Sequence, residues 1–317
     1  MVGYVEKIRE VAKRLLESGE VEVFIGYRRG SVPMMNEPVL IRKGEDAGEL
    51  WWDSHCGLNL CNYLTKRTEK KIGIVANGCN SRNMVTHIIE NQIKREQLHI
   101  VGIPCEGMID HRAVQRAVGN REILEVLEEG PLIVVRGEGF EERLDKAGYL
   151  QSNCRVCRHR NPVIFDELVG EPVEEQAGVE AYRDVEKVEE MSAEKRWGFF
   201  TRMISRCIRC YACRNACPLC YCPTCFVDES SPQWVGKSTD PTDTMTFHFL
   251  RAYHCAGRCT DCGACERVCP VGIPVRQFTK KLNKDAEGLF SWEAGLTLEE
   301  RPPLDVYRPD DYNDFIR

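Results

Sequence analysis

CIRCYACRNACP at residues 207–218 and CTDCGACERVCP at residues 259–270 are one pattern written twice. Each reads cysteine, two residues, cysteine, two residues, cysteine, three residues, cysteine, proline: Cys207-x2-Cys210-x2-Cys213-x3-Cys217-Pro218, then Cys259-x2-Cys262-x2-Cys265-x3-Cys269-Pro270. The spacing has a physical reason. Three thiolates two residues apart wrap three corners of one iron–sulfur cube, while the fourth points away and reaches a second cube. The proline lacks an N–H, cannot continue a helix and turns the chain outward.

The double run is the ligand pattern of a bacterial-type ferredoxin module with two 4Fe-4S clusters, whose chemistry is one-electron transfer. It assigns cluster A to Cys207, Cys210, Cys213 and Cys269, and cluster B to Cys259, Cys262, Cys265 and Cys217. A disulfide framework needs an oxidising compartment. Paired zinc sites use CxxC pairs set apart by a longer loop. Neither predicts this run twice.

The 317 residues suffice for about two domains. Cysteine, at 18 residues, is far above ordinary usage. No N-terminal stretch joins a basic segment to an apolar run and a cleavage site. Met1–Glu20 instead reads as an amphipathic helix, with Val5, Ile8, Val11, Ala12, Leu15 and Leu16 on one face and Gly19 to end it. No apolar run is long enough to span a membrane. A cytoplasmic location is expected, where thiols stay reduced and available to iron. The net charge of −6 argues against nucleic-acid binding.

The expected fold class is α+β: an N-terminal α/β domain with a partly parallel sheet, and a C-terminal dicluster ferredoxin-like domain. Strands are expected at Val21–Tyr27, Val39–Ile41, Lys71–Ala76, Leu98–Ile103 and Pro131–Val135, with helices at Asn83–Arg95 and Ala113–Glu128. The expected domains are 1–170 (α/β), 171–196 (an acidic linker or solvated helix), 197–282 (the ferredoxin module) and 283–317 (a tail). That tail, with Trp292, Tyr307, Tyr312 and Phe315, is expected to pack on its own protein.

Six cysteines lie outside the ferredoxin module. Cys79 and Cys105 each follow an expected strand, and ligands bind at the carboxyl ends of strands in an open parallel sheet. Cys154 and Cys157 form a CxxC further on. Together these four make a third 4Fe-4S site plausible; the plain alternative is small buried thiols. Cys56 and Cys61, five residues apart beside His55, read as structural thiols, with metal ligation as the lesser alternative.

The stretch KKIGIVANGCNSRNMVTHIIENQIKREQLHIVGIPCEG at 71–107, followed by CRVCRHRNPVIFDELVG at 154–170, resembles the beta-subunit family of coenzyme F420 (deazaflavin) hydrogenases and dehydrogenases. Cys79, Cys105, Cys154, Cys157, Asp166 and Gly170 occupy that family's motif positions. Joined to the ferredoxin pattern, the chain is similar to iron–sulfur subunits associated with formate dehydrogenases, hydrogenases and heterodisulfide reductases of anaerobes. The resemblance implies FAD as well. The turn at Cys79 is NGCN, without the family's threonine and proline, and no GxGxxG loop occurs in the first 80 residues. A chain without flavin only relays electrons.

The ferredoxin module holds four further cysteines, Cys220, Cys222, Cys225 and Cys255. They equal one more cubane by count, a possible fourth 4Fe-4S cluster; the plainer expectation is a thiol-rich loop shielding A and B. Arg202, Arg206, Arg209 and Arg214 surround the first run, as a cation field raising cluster potential or an ordinary solvated face. His248 and His254 carry no assigned role.

No acid–base pair or nucleophile stands out, so substrate chemistry is expected on a partner. The expected function is an electron-transfer subunit of a soluble anaerobic multi-subunit oxidoreductase, working with its other subunits and with soluble ferredoxin. The alternatives are a flavin-containing subunit that itself oxidises or reduces a deazaflavin or nicotinamide coenzyme, and an interaction protein with structural metals only.

Overall fold

A computed structural model describes residues 2–65, 67–303 and 305. Tyr307, Tyr312 and Phe315 of the tail lie outside the described residues.

Helix α1 (Val2–Glu17) buries Val5, Ile8, Val11, Ala12 and Leu15 at helical spacing. It ends before Gly19, which takes φ 73°. Strand β1 (Val23–Arg28) is buried at every position but its last, as befits a strand covered on both faces. It pairs antiparallel with β2 (Glu37–Ile41) and parallel with β3 (Ile72–Ala76). Helix α2 (Gly78–Ile89) leads to β4 (Leu98–Gly102), which pairs parallel with β3 from Ile72↔Leu98 to Ala76↔Gly102. The two strands therefore leave the sheet side by side, and Cys79 and Cys105 follow at the same edge.

Two expected helices need correction. Helix α2 starts at Gly78, not Asn83, because the Asn77 side chain accepts the Asn80 N–H and caps it. Cys79 thus sits in the first helical turn. Helix α3 covers only His111–Ala117. The left-handed residues Gly119 (φ 68°) and Asn120 (φ 56°) stop it. The chain then forms a separate antiparallel sheet of β5 (Glu125–Glu129), β6 (Leu132–Gly137) and β7 (Phe140–Asp145). Pro131–Val135 is largely strand as expected, but it belongs to this small sheet, turned in by Gly130 at φ 59°.

The short helix α4 (Ser152–Arg155) carries Cys154. Strand β8 (Glu167–Leu168) completes the main sheet, in the order β2-β1-β3-β4-β8. Asp166 fixes this join: it accepts the Ile100 N–H at 2.7 Å and the Arg95 guanidinium at 2.7 Å. The remainder is helical: α5 (Arg183–Glu189), α6 (Ala193–Ile204), α7 (Ala212–Asn215), α8 (Pro241–His254), α9 (Ala264–Arg267) and α10 (Arg276–Phe290). The fold is α+β, with a mixed sheet on the N-terminal side and a small second core around Met203, Val227, Phe247, Ile273 and Val275 in the cysteine-rich part.

The acidic stretch at 171–196 is not merely solvated. Asp184 on α5 pairs with Lys280 at 2.7 Å and Arg276 at 3.3 Å, both buried on α10. The two halves meet through specific bonds. The Asn83 amide donates to Thr260 Oγ1 at 2.8 Å, Asn62 donates to the Ala216 carbonyl at 2.8 Å, and Arg258 pairs with Glu90. Trp292 donates to the Gly257 carbonyl at 2.7 Å, so the described part of the tail packs on its own chain.

Candidate metal centres

The two repeats follow the same backbone path. Arg209 (φ 50°) and Tyr211 (φ 59°) in the first run match Asp261 (φ 56°) and Gly263 (φ 73°) in the second. Left-handed conformations cost a non-glycine residue about 1 kcal/mol or more each, so their repetition marks a loop shaped for a purpose. Such a path turns successive backbone N–H groups inward, where they suit anionic sulfur. The Arg209 N–H lies 3.4 Å from Cys207 Sγ, and the Ile273 N–H lies 3.2 Å from Cys269 Sγ. Each run then enters a single helical turn, α7 or α9, that carries the chain toward its fourth cysteine.

The structure gathers Cys207, Cys210, Cys213 and Cys269 as mutual neighbours: burial first, then the charges of the other three, pushes the Cys213 thiol up. Cys210 is exposed. It gathers Cys259, Cys262 and Cys265 with Cys217 in the same way. Burial, then Asp261, Cys262 and Cys217, pushes Cys259 up to about 12. Thiols so crowded cannot all ionise in isolation; a bound cation would let them.

Cys79, Cys105, Cys154 and Cys157 line one cavity of about 80 Å³. Cys259 and Cys262 line the same cavity. Burial is the largest cause pushing Cys105 up to about 12 and Cys157 up to about 11, with the Cys154 charge next in both. Cys79 is pushed well up by burial and then by Cys262, Cys105, Cys157 and Cys154. Backbone and amide groups face these sulfurs too. The Met108 N–H donates to Cys154 Sγ at 3.3 Å, and Asn77, which caps α2, lies 3.2 Å from Cys79 Sγ and 3.9 Å from Cys105 Sγ. Gly107, at φ 114°, takes a backbone path closed to other residues, and a Cβ there would meet Leu150 and Cys154. The donor set, its N–H partners and its shape fit a 4Fe-4S cluster.

The surplus thiols divide. Cys220 and Cys255 sit against Cys217, and their thiols hold it well below its usual pKa. Cys222 is exposed, and Cys225 lies beside Arg214. Cys56 and Cys61 are fully enclosed; Cys61 donates to the Asn80 carbonyl at 3.2 Å, and burial pushes both thiols well up.

Sequence reasoning missed two residues on α8. His248 Nε2 lies 3.3 Å from Cys207 Sγ, and burial, followed by Arg251 and Arg209, holds the imidazole down at about 4 and therefore neutral. Arg251 is buried beside both ferredoxin sites and donates to the Cys213 carbonyl at 3.1 Å. The only sequence signal was their helical spacing ahead of Cys255.

Residues 203–273 match the family described as a 4Fe-4S dicluster domain. The chain is 22% identical to the F420-dependent formate dehydrogenase subunit beta of Methanocaldococcus jannaschii, over 92% of each chain. It is 23% identical to the F420-dependent formate dehydrogenase 1 subunit beta of Methanococcus maripaludis, over 92% of this chain and 91% of that one. Among solved structures, a chain of the F420-reducing [NiFe] hydrogenase complex from Methanosarcina barkeri matches at a TM-score of 0.40 and 16% identity, covering 64% of this chain and 86% of that one. The chain is thus similar along nearly its whole length to the beta subunits of F420-dependent formate dehydrogenases, and it carries a 4Fe-4S dicluster domain.

Proposed function

We propose that this chain is the iron–sulfur relay subunit of an anaerobic multi-subunit oxidoreductase of the formate dehydrogenase, hydrogenase or heterodisulfide reductase type. It passes single electrons between a catalytic partner and an acceptor. Cys79, Cys105, Cys154 and Cys157 hold one 4Fe-4S cluster; Cys259, Cys262, Cys265 and Cys217 hold cluster B; Cys207, Cys210, Cys213 and Cys269 hold cluster A. Each cluster, when bound, supplies a site that takes up and gives back one electron.

The observation that carries this reading is the shared cavity: the four N-terminal thiols and two thiols of cluster B open onto the same space. That supports an order, N-terminal site, then B, then A. The chain's own residues do the rest. Backbone N–H groups stabilise anionic sulfur, the loops exclude water from the N-terminal site and B, and the exposed Cys210 brings A to the surface, where a soluble ferredoxin or another subunit could meet it. No helix of the described residues is long and apolar enough to cross a membrane, and we place the work in the cytoplasm.

Anaerobic purification followed by iron, sulfide and visible-absorbance measurement tests the proposal. It expects about 12 irons per chain and a broad absorbance without structured flavin bands. Zinc without iron would contradict it, and stoichiometric FAD would move the reading to a flavin-containing subunit. Mass spectrometry of co-purifying chains identifies the catalytic partner.

A further inference from the structure

We propose that Arg251 is the counter-charge shared by clusters A and B, set between the two cysteine cages so that it raises the potential of both and keeps the step between them level. The inference rests on the three-cluster reading above.

The starting observation is a buried cation without an anion. Arg251 is 5% exposed. Its Nη2 donates to the Cys213 carbonyl at 3.1 Å, while its Nε is buried without a partner. Among the described residues no carboxylate stands within ion-pair distance of it. Arg276 shows the contrast: at 2% exposed it is as buried, yet it meets Asp261, Glu266 and Asp184. A buried guanidinium facing only neutral groups is strongly disfavoured. The charged groups that act on Arg251 are thiols: Cys217, Cys265, Cys255 and Cys213.

Cys213 belongs to cluster A, and Cys217 and Cys265 belong to cluster B. Helix α8 sets Arg251 at that junction, one turn after His248, which faces Cys207, and one turn before Cys255. A cubane held by four thiolates is an anion that gains one more negative charge on reduction. A fixed cation beside it in a low-dielectric site therefore favours the reduced form. Because one guanidinium serves both cages, it shifts both potentials in the same direction. The N-terminal site is a built-in control, since the foremost cations at Cys154 and Cys157 are Arg267, Arg276 and Arg82.

The test is an EPR-monitored redox titration of the full, anaerobically purified chain as wild type, Arg251→Gln and Arg251→Lys. Wild-type iron content and signals are read first; absent ferredoxin signals there sink the cluster reading itself, before any variant is compared. With signals present, the glutamine variant is expected to show the midpoints of A and B both moved to more negative potential, with the N-terminal midpoint unmoved. The lysine variant stays close to wild type. Unmoved A and B midpoints in an iron-loaded glutamine variant overturn the proposal, as does an equal shift of all three. If the glutamine variant fails to load iron, full loading of the lysine variant with wild-type midpoints supports the charge role. Loss of iron in both assigns Arg251 to holding the Cys213 carbonyl and overturns the proposal.

Discussion

Replacing Cys154 and Cys157 together by alanine removes two of the four thiols of the N-terminal site and leaves both ferredoxin sites whole. The cost to the fold is small. Cys154 Sγ accepts the Met108 N–H at 3.3 Å, and the Cys157 thiol donates to the His159 carbonyl at 3.4 Å. Neutral bonds of this kind contribute about 1 kcal/mol each or less. Losing the two sulfur atoms adds a cavity term of similar size. The total, about 2–3 kcal/mol, lies inside the 5–15 kcal/mol of a typical domain, so the chain should fold. The effect on iron is large, because two remaining thiols do not retain a cubane: content should fall from about 12 to about 8 atoms per chain. Anaerobic iron and labile-sulfide analysis, with EPR of the reduced protein, reads this directly. A variant that keeps all its iron, or one that loses iron from every site alike, would refute the assignment.

Other consequences follow from single contacts. Gly78→Ala places a Cβ 2.1 Å from the His159 carbonyl oxygen, just beyond Cys157, so it should cost the N-terminal site about 4 irons while leaving A and B loaded, again by iron analysis. His248→Phe removes the ring nitrogen 3.3 Å from Cys207 Sγ; the midpoint of cluster A should fall and that of the N-terminal site should stay, by redox titration. Arg276→Ala leaves Asp261, inside the second cysteine run, without its ion-pair partner and takes one partner from Asp184 and from Glu266. Breaking so buried a network should cost about 3–5 kcal/mol in anaerobic thermal unfolding and speed iron loss from B to a chelator. Glu90→Ala leaves Arg258 and Tyr221 without their shared carboxylate; about 2–3 kcal/mol of stability should be lost, with iron content at moderate temperature unchanged.

The parts of this molecule legible in sequence are those set by short-range rules. The two cysteine runs state their geometry in their spacing, and the structure gives both the same left-handed residues. β3 and β4 announce themselves as short apolar runs, and their parallel register places Cys79 and Cys105 at one edge. The hairpin sheet at 125–145 was harder. EVLEE keeps only partial alternation and is rich in glutamate because one face is solvated, so it continues the helical pattern that precedes it. The start of α2 depended on one capping side chain, Asn77. Arg251 was not legible at all. Its meaning comes from what α8 packs against, and nothing local separates it from an arginine on a wet surface. The same holds for Cys220 and Cys255, which meet at Cys217 across a long loop.

The central claim is a continuous relay in which the N-terminal cluster sits against cluster B, and magnetic coupling tests it most directly. EPR of the fully reduced wild-type chain should integrate to about three spins with broadened, interacting lines; in the Cys154→Ala, Cys157→Ala variant about two spins should remain, and the share of broadening due to the N-terminal cluster should vanish. A wild-type spectrum of about two spins, or one in which a third cluster shows no interaction with the others, would contradict the account.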